Sequence, residues 1–311
     1  MRFFLRASST KRYPGSIALL GCLLGLILVL AACGSGGNGT TTTGSGSTPT
    51  SSSAPKVAPP NDLLTPGVLT VGSDTTYPPQ EYIDTTTNQP AGFDIDLITA
   101  IAQRMGLKAQ IVSTSFDTII DSLNAKRFDV VISAVTITPA RQQKVDFIPY
   151  FSAGESLLVQ NGNPDHITQL SDLCGKNAGV QNGTIEQADL QTASNDCKKN
   201  GKPAINITVL TNETDVIQLL ATNRVVATYQ DSPVTDYYIK QHPGQFMVGG
   251  SVINAAPEGI VVRKGDTSMF NAINTAFQQL RADGTYHSLI EKWGLTQEEL
   301  TSMIDRRTAL A

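Results

Sequence analysis

Short β-branched runs alternate with stretches of helically spaced apolar residues twice along this 311-residue chain, and that alternation constrains the fold more than any other feature. In the first set Val68-Leu69-Thr70-Val71 reads as a strand ended by Gly72. Phe93 to Met105 then places Leu97, Ile98, Ile101 and Met105 on one helical face, with Gly106 as a stop. Lys108 to Val112 is the next strand, Ile119, Ile120 and Leu123 line a second helix, and Val130-Val131-Ile132 is a third strand. That third run is apolar throughout, as a strand covered on both faces must be. The second set repeats the order, with strands at Asn177 to Val180, Ile207 to Leu210 and Val225 to Tyr229, and helices from Ile185 and over Val216 to Ala221. A βαβαβ order implies an α/β fold with a largely parallel sheet, helices on both faces, and ligands meeting the carboxyl ends of the strands.

Polar and aromatic residues collect at those ends. Asp74 and Tyr77 follow the first strand, Phe116 precedes the second helix, and Ser133, Ala134 and Thr136 follow the third strand. In Thr138-Pro139-Ala140-Arg141 a threonine N-cap and a proline at the first helical position start a helix, with Arg141 in its first turn. A guanidinium beside unpaired backbone N–H groups is a seat for a carboxylate. The competing reading is an arginine that answers a surface acid. In the second set Gln181-Asn182-Gly183-Thr184 turns into the helix at Ile185, whose amino end is another anion seat. Asp231, followed by Ser232-Pro233, reads either as an N-cap or as a carboxylate for an ammonium group.

The amino-terminal part has a different composition. Arg2, Arg6, Lys11 and Arg12 precede an apolar run from Ile17 to Leu30, and small residues then lead to Cys33, as in an export signal. Leu30-Ala31-Ala32-Cys33 resembles the lipobox of bacterial lipoproteins, which implies cleavage before Cys33 and lipidation of that residue. The alternative is an uncleaved signal anchor, although the apolar run is short of the roughly 20 residues a spanning helix needs. From Gly34 to about Pro60 the chain is Gly, Ser, Thr and Pro with almost nothing apolar. It is a flexible tether with a span of about 30 Å.

Four cysteines are present. Cys22 leaves with the signal and Cys33 takes lipid, so Cys174 and Cys197 remain, and their separation suits a disulfide in an oxidising compartment. Two buried free thiols are the alternative. His166, His242 and His287 are scattered and no CxxC or HxxxH spacing occurs, so no metal site is expected. The net charge is −4. With no basic stripe interleaved with aromatics, nucleic acid is not an expected partner.

Between residues 66 and 296 several motifs resemble the family 3 extracellular solute-binding proteins, the amino-acid receptors of ABC importers. Gly92-Phe93-Asp94-Ile95-Asp96-Leu97 with Ile101-Ala102 and Met105 carries that family's signature. Asp74-Thr75-Thr76-Tyr77-Pro78-Pro79, Ser133 to Thr138, Arg141, the Val180 to Thr184 turn, Asp231-Ser232-Pro233, Asp283-Gly284-Thr285-Tyr286 and Lys292-Trp293-Gly294 follow in the family's order. The resemblance implies a type II periplasmic-binding-protein fold, two α/β lobes joined by a two-segment hinge. The implied division is a signal peptide at 1–32, a tether at 33–63, lobe 1 at 64–152 plus 258–311, lobe 2 at 156–248, and hinge segments at 153–155 and 249–257.

The resemblance also implies roles. Arg141 pairs with the ligand α-carboxylate, helped by Thr136 and by backbone N–H groups around Thr136 and Ile185; Asp231 and the Ala134 carbonyl take the α-ammonium. Tyr77 and Phe116 sandwich the ligand side chain, and Asp74 lies near its far end. Ser133 and Thr184 complete the expected ligand-binding set. Ala134 and Ile185 stand where relatives often carry hydroxyls, so backbone groups must serve there. Expected partners are a polar amino acid, an ABC permease with its ATPase subunits, and a membrane reached through the lipid anchor. The protein is expected to be a monomer on the extracytoplasmic side, without cofactor or catalysis. A ligand-sensing receptor for a membrane kinase and a dehydratase of the same fold, with Asp74 or Glu81 as its acid, are the alternatives.

Overall fold

A computed structural model of the protein describes residues 57–295. The expected signal peptide, Cys33, and most of the tether lie outside the described residues, as do residues 296–311. No described helix is long and apolar enough to cross a membrane.

In chain order the elements are β1 (Val68–Ser73), a small antiparallel sheet of β2 (Thr76–Tyr77), β3 (Glu81–Ile83) and β4 (Pro90–Ala91), then α1 (Phe93–Arg104), β5 (Lys108–Ser113), α2 (Ile119–Asn124), β6 (Val130–Val131), α3 (Pro139–Gln142) and the long β7 (Val145–Gln160). They continue as β8 (Asn177–Gln181), α4 (Ile185–Lys199), β9 (Asn206–Leu210), α5 (Glu213–Ala221), β10 (Ala227–Asp231), α6 (Ser232–Gln241), β11 (Phe246–Val248), β12 (Ile253–Arg263), α7 (Thr267–Ala282) and α8 (Thr285–Trp293). The strands expected from hydrophobic patterning are present, with boundaries shifted by one or two residues. The two longest strands, β7 and β12, were not expected, because Asp146, Pro149 and Gly154 in one and Pro257 in the other interrupt any alternation.

The main sheet runs β5-β1-β6-β12-β7-β10-β8-β9. β1 is parallel to both β5 and β6, with Val71 opposite Ile111 and Val130. β12 and β7 are antiparallel to each other, and β7 continues beyond that pairing to meet β10 and β11. The chain therefore forms two α/β lobes, with β7 and β12 as the two connecting segments of the hinge.

Each lobe is covered on both faces, which is why its central strands are apolar. In lobe 1, Leu97, Ile98 and Ile101 of α1 meet Met269, Ile273 and Phe277 of α7 over β1. Ile119 and Leu123 of α2 pack with Phe128 and Val131 on the other side. Asp96 fixes α8 to α1, accepting from Lys292 Nζ at 2.7 Å and from Trp293 Nε1 at 2.8 Å. In lobe 2, Leu190 of α4 packs with Val180 and Tyr229, while Ile217 and Leu220 of α5 pack with Val234 and Tyr238 of α6.

Two observations bear on the sequence reading. Val57 is buried in the lobe 1 core, its N–H donates to Arg104 O at 3.1 Å, and Leu63 packs on the same core. Folded structure thus reaches at least to Val57 and the tether does not extend to 63, since these two side chains carry apolar surface that the upstream tract lacks. Cys174 and Cys197 form a disulfide, with Cα atoms 5.6 Å apart across a sequence separation of 23. It ties the segment before β8 to the end of α4. In the chain-entropy account a loop of that size is worth about 3 kcal/mol. Cys174→Ser with Cys197→Ser is expected to lower lobe 2 stability by that amount in urea unfolding with little effect on ligand affinity, since neither residue lines the cleft.

Candidate functional site

The carboxyl ends of β1, β6, β8 and β10 converge on a small cavity between the lobes. Its walls contain every residue expected from the sequence: Asp74, Tyr77, Phe116, Ser133, Ala134, Thr136 and Arg141 from lobe 1, and Thr184, Ile185 and Asp231 from lobe 2. Three more residues line it that were not in the expected set, Glu81, Gln181 and Glu186. From the sequence, Glu81 stands out only as an acid for a dehydratase.

Arg141 is placed by the expected cap. Thr138 Oγ1 accepts from the Arg141 N–H at 3.2 Å, and Pro139 opens the turn. The cap consumes that N–H group, so the anion seat here is the guanidinium itself and not the helix end. Arg141 Nη1 donates to Thr136 O at 2.8 Å, and Nη2 donates across the cleft to Gly183 O at 3.3 Å. The guanidinium carbon lies 5.3 Å from the Phe116 ring centroid, a cation–π contact. No ion pair engages Arg141 among the described residues, so the reading of an arginine answering a surface acid does not hold. Burial pulls its pKa below the usual arginine value, and the negative charge of Glu186, Asp231 and Glu258 opposes that shift.

Asp231 stands at the N-cap position of α6, yet its carboxylate caps nothing. Oδ2 accepts from Tyr77 OH at 2.8 Å, and Tyr77 OH accepts in turn from the Asp231 N–H at 3.1 Å. Tyr77 and Asp231 belong to different lobes, so this reciprocal pair joins the closed cleft. Burial raises the Asp231 carboxyl to about 6, while Tyr77 and Arg141 favour its charged form.

Asp74 is more heavily engaged than a free side-chain receptor would be. Thr76 Oγ1 donates to its Oδ1 at 2.7 Å; the Phe116 N–H, at 3.1 Å, and Gln181 Nε2, at 2.7 Å, donate to its Oδ2. The Gln181 contact crosses between the lobes. The Ser133 hydroxyl is also committed, accepting from the Asp74 N–H and donating to Glu81 Oε1, each at 2.9 Å. Thr184 caps α4, accepting from the Gln187 N–H at 3.2 Å. Ala134 has φ 46°, and its N–H donates to Asp94 Oδ2 at 3.1 Å. Ile185 and Glu186 open α4, where first-turn N–H groups have no intrahelical acceptor.

Residues 69–296 match the family model of bacterial extracellular solute-binding proteins, family 3. The chain belongs to that family. Among relatives of this family 3 protein, the lysine/arginine/ornithine-binding periplasmic protein of Escherichia coli K12 is 33% identical over 236 residues, 73% of this chain and 88% of the relative. The L-cystine-binding protein TcyJ of the same strain is 30% identical over 228 residues, 73% of this chain and 82% of the relative. A solved structure of an ancestral arginine-binding protein bound to arginine shares 37% identity, covers 73% of this chain and 98% of its own, and superposes with a TM-score of 0.68. These relatives are binding proteins. Of the positions that line the cleft in the present family member, Asp74, Tyr77, Ser133, Ala134, Thr136, Arg141, Gln181, Thr184 and Asp231 fall in the motifs quoted above, whereas Glu81, Phe116, Ile185 and Glu186 do not.

Proposed function

We propose that the protein captures a polar amino acid between its lobes and presents it to an ABC permease and its ATPase subunits on separate chains. The observation that carries this reading is the placement of Arg141 and Asp231 on opposite lobes of one closed cavity. A zwitterion offers each of them its counter-charge at once: the α-carboxylate takes the guanidinium fork and the first-turn N–H groups of α4, and the α-ammonium takes Asp231 and the Ala134 carbonyl. Tyr77 and Phe116 flank the side chain. A ligand touching both lobes stabilises the closed form through contacts the open form lacks.

The export-type leader and the lipobox-like Leu30-Ala31-Ala32-Cys33 support an extracytoplasmic protein held to a membrane by lipid on Cys33, with a Gly/Ser/Thr tether that keeps the lobes near the permease. A monomer suffices, because both halves of the site come from one chain. The receptor performs no chemistry on its ligand.

A thermal-shift panel of the common amino acids on the purified protein tests the reading. Ligand at a hundred times its dissociation constant adds about 2.7 kcal/mol, a rise of about 5 to 10 °C for a chain of this size. No rise with any amino acid overturns it. The buried carboxyls of the cleft favour one second reading, a dehydratase with a protonated acid such as Glu81. Aromatic product from prephenate or arogenate would decide for that enzyme.

A further inference from the structure

Four Asn-Gly steps occur in the chain, Asn38-Gly39, Asn161-Gly162, Asn182-Gly183 and Asn200-Gly201. Such a step readily loses its side-chain amide as ammonia, because no Cβ on the glycine shields the backbone nitrogen that attacks the asparagine. The first step lies outside the described residues. The other three belong to lobe 2, and one of them is held from the opposite lobe.

Asn182-Gly183 forms the turn between β8 and α4 at the rim of the cleft. Asn182 Nδ2 donates to Asp117 Oδ2 at 2.9 Å, and Gly183 O accepts from Arg141 Nη2 at 3.3 Å. Both partners are lobe 1 residues, so both bonds exist only while the lobes are together. Two more bonds come from lobe 2 itself and persist when the cleft opens: the Asn182 N–H to Leu210 O and the Gly183 N–H to Gln187 Oε1, each at 2.8 Å. Gly183 and Asp117 are exposed and Asn182 is half-buried, so water reaches the turn. The bonds at the other two steps stay within lobe 2. The Asn161 N–H donates to Gln245 O at 2.9 Å, Asn200 Nδ2 to Asp196 O at 2.8 Å, and the Gly201 N–H to Lys198 O at 3.0 Å.

We propose that Asn182 is a deamidation site under the control of cleft occupancy, converted to aspartate or isoaspartate in the open receptor, protected in the ligand-closed one, and impairing closure once converted. The control by occupancy rests on the amino-acid reading above. In the reaction the Gly183 nitrogen gives its proton to solvent hydroxide and attacks Asn182 Cγ. The N–Cγ bond forms, the Cγ–Nδ2 bond breaks, and the departing amide nitrogen takes a proton from water and leaves as ammonia. Water then opens the succinimide ring at either carbonyl, and nothing is oxidised or reduced. Attack requires the Asn182 side chain to swing away from Asp117 and the turn to bend. In the closed form Asp117 and Arg141 hold both residues of the step; the open form keeps only the Leu210 and Gln187 bonds. The product acts through its neighbour. A carboxylate at 182 faces Asp117 where an amide had donated, so repulsion between like charges replaces a hydrogen bond. Isoaspartate also adds a methylene to the backbone beside Gly183, where a built Cβ already comes within 2.7 Å of Asp117 Cα.

The purified protein, incubated at mildly alkaline pH with and without whichever common amino acid raises its melting temperature most, is followed by peptide mass spectrometry at the three described steps. Asn182 is expected to convert at least fivefold more slowly with the amino acid present, while Asn161 and Asn200 convert at the same rate in both samples. Asp117→Ala is expected to abolish most of that protection at saturating ligand and to leave the ligand-free rate at Asn182 within twofold. Calorimetry reads the consequence: Asn182→Asp weakens binding at least fivefold, and Asp117→Asn added to it restores an amide-to-carboxylate bond and returns affinity to within threefold of the parent. That rescue also separates loss of the cross-lobe bond from a folding defect in Asn182→Asp. Equal conversion of Asn182 with and without ligand, no conversion of Asn182 while Asn161 converts, or full affinity in Asn182→Asp overturns the inference. If an amino acid still binds in an Arg141-dependent way under those outcomes, the amino-acid reading stands and only the inference fails; if no amino acid binds, both fail.

Discussion

Arg141→Ala abolishes measurable amino-acid binding and shifts the melting temperature of the ligand-free protein by no more than about 3 °C. The guanidinium is the single cation among the described residues that line the cleft, and each charge-assisted hydrogen bond it gives a carboxylate is worth about 1.5 to 3 kcal/mol. Loss of a two-pronged contact therefore costs about 4 kcal/mol, roughly a thousandfold in dissociation constant. Its removal from the empty protein is far milder. The bonds to Thr136 O and Gly183 O and the Phe116 contact are lost, but so is the burden of a desolvated charge, which is the first cause of its lowered pKa. Lysine at the same position keeps the charge without the fork. Arg141→Lys is accordingly expected to retain binding, weakened about ten- to a hundredfold. Calorimetry with whichever amino acid gives the largest thermal shift reads both variants, and full affinity in Arg141→Ala would sink the assignment.

The parts of the fold written in local pattern were legible, and those that depend on tertiary pairing were not. Val68–Ser73 and Val130–Val131 are buried on both faces, so their apolar runs announce them. Thr138-Pro139 announces a cap because the chemistry of capping is local, and the cap bond is present. β7 carries Asp146, Pro149 and Gly154 within a single strand of 16 residues, and no window of the sequence reveals that it serves both lobes. The site divides along the same line. Strand-end residues with ordinary ligand chemistry, such as Arg141, Tyr77 and Asp231, could be nominated from position. The carboxylate of Asp231 could not be assigned from position, because a residue at an N-cap is expected to cap, and only the cross-lobe hydroxyl of Tyr77 draws it away. Glu186 and Gln181 were missed because an acid and an amide beside a helix start look solvated, and nothing local says that the opposite lobe covers them. Asp74 was seen, but as a free receptor; its engagement by Gln181 of the other lobe becomes visible only when both lobes are placed.

Gly183→Ala is expected to block closure of the cleft while leaving both lobes folded. Gly183 sits at the turn between β8 and α4 with φ +81°, and a Cβ there would lie 2.7 Å from Asp117 Cα and 2.9 Å from Asp117 Cβ on the other lobe. Backbone cannot yield to such a contact as a flexible side-chain tip does, so the lobes must part by about an ångström at that point. The bonds made there are lost with it: Asn182 Nδ2 to Asp117 Oδ2 at 2.9 Å, and Arg141 Nη2 to Gly183 O at 3.3 Å. A ligand that bridges both lobes then finds Arg141 and Asp231 too far apart to satisfy together, and affinity falls at least a hundredfold, about 2.7 kcal/mol. The left-handed conformation also costs an alanine about 1 kcal/mol, so a control must separate strain from the wedge. Gly162 has φ +79° and nothing within 4 Å of its built Cβ, so Gly162→Ala carries the same strain without touching the cleft. The two variants are expected to lose similar stability in urea, while Gly183→Ala alone loses ligand affinity and the ligand-induced compaction read by small-angle scattering. Equal affinities in the two variants would show that the cleft closes without the close approach of Gly183 to Asp117, and that the cross-lobe contacts around Asp74 and Tyr77 hold it shut unaided.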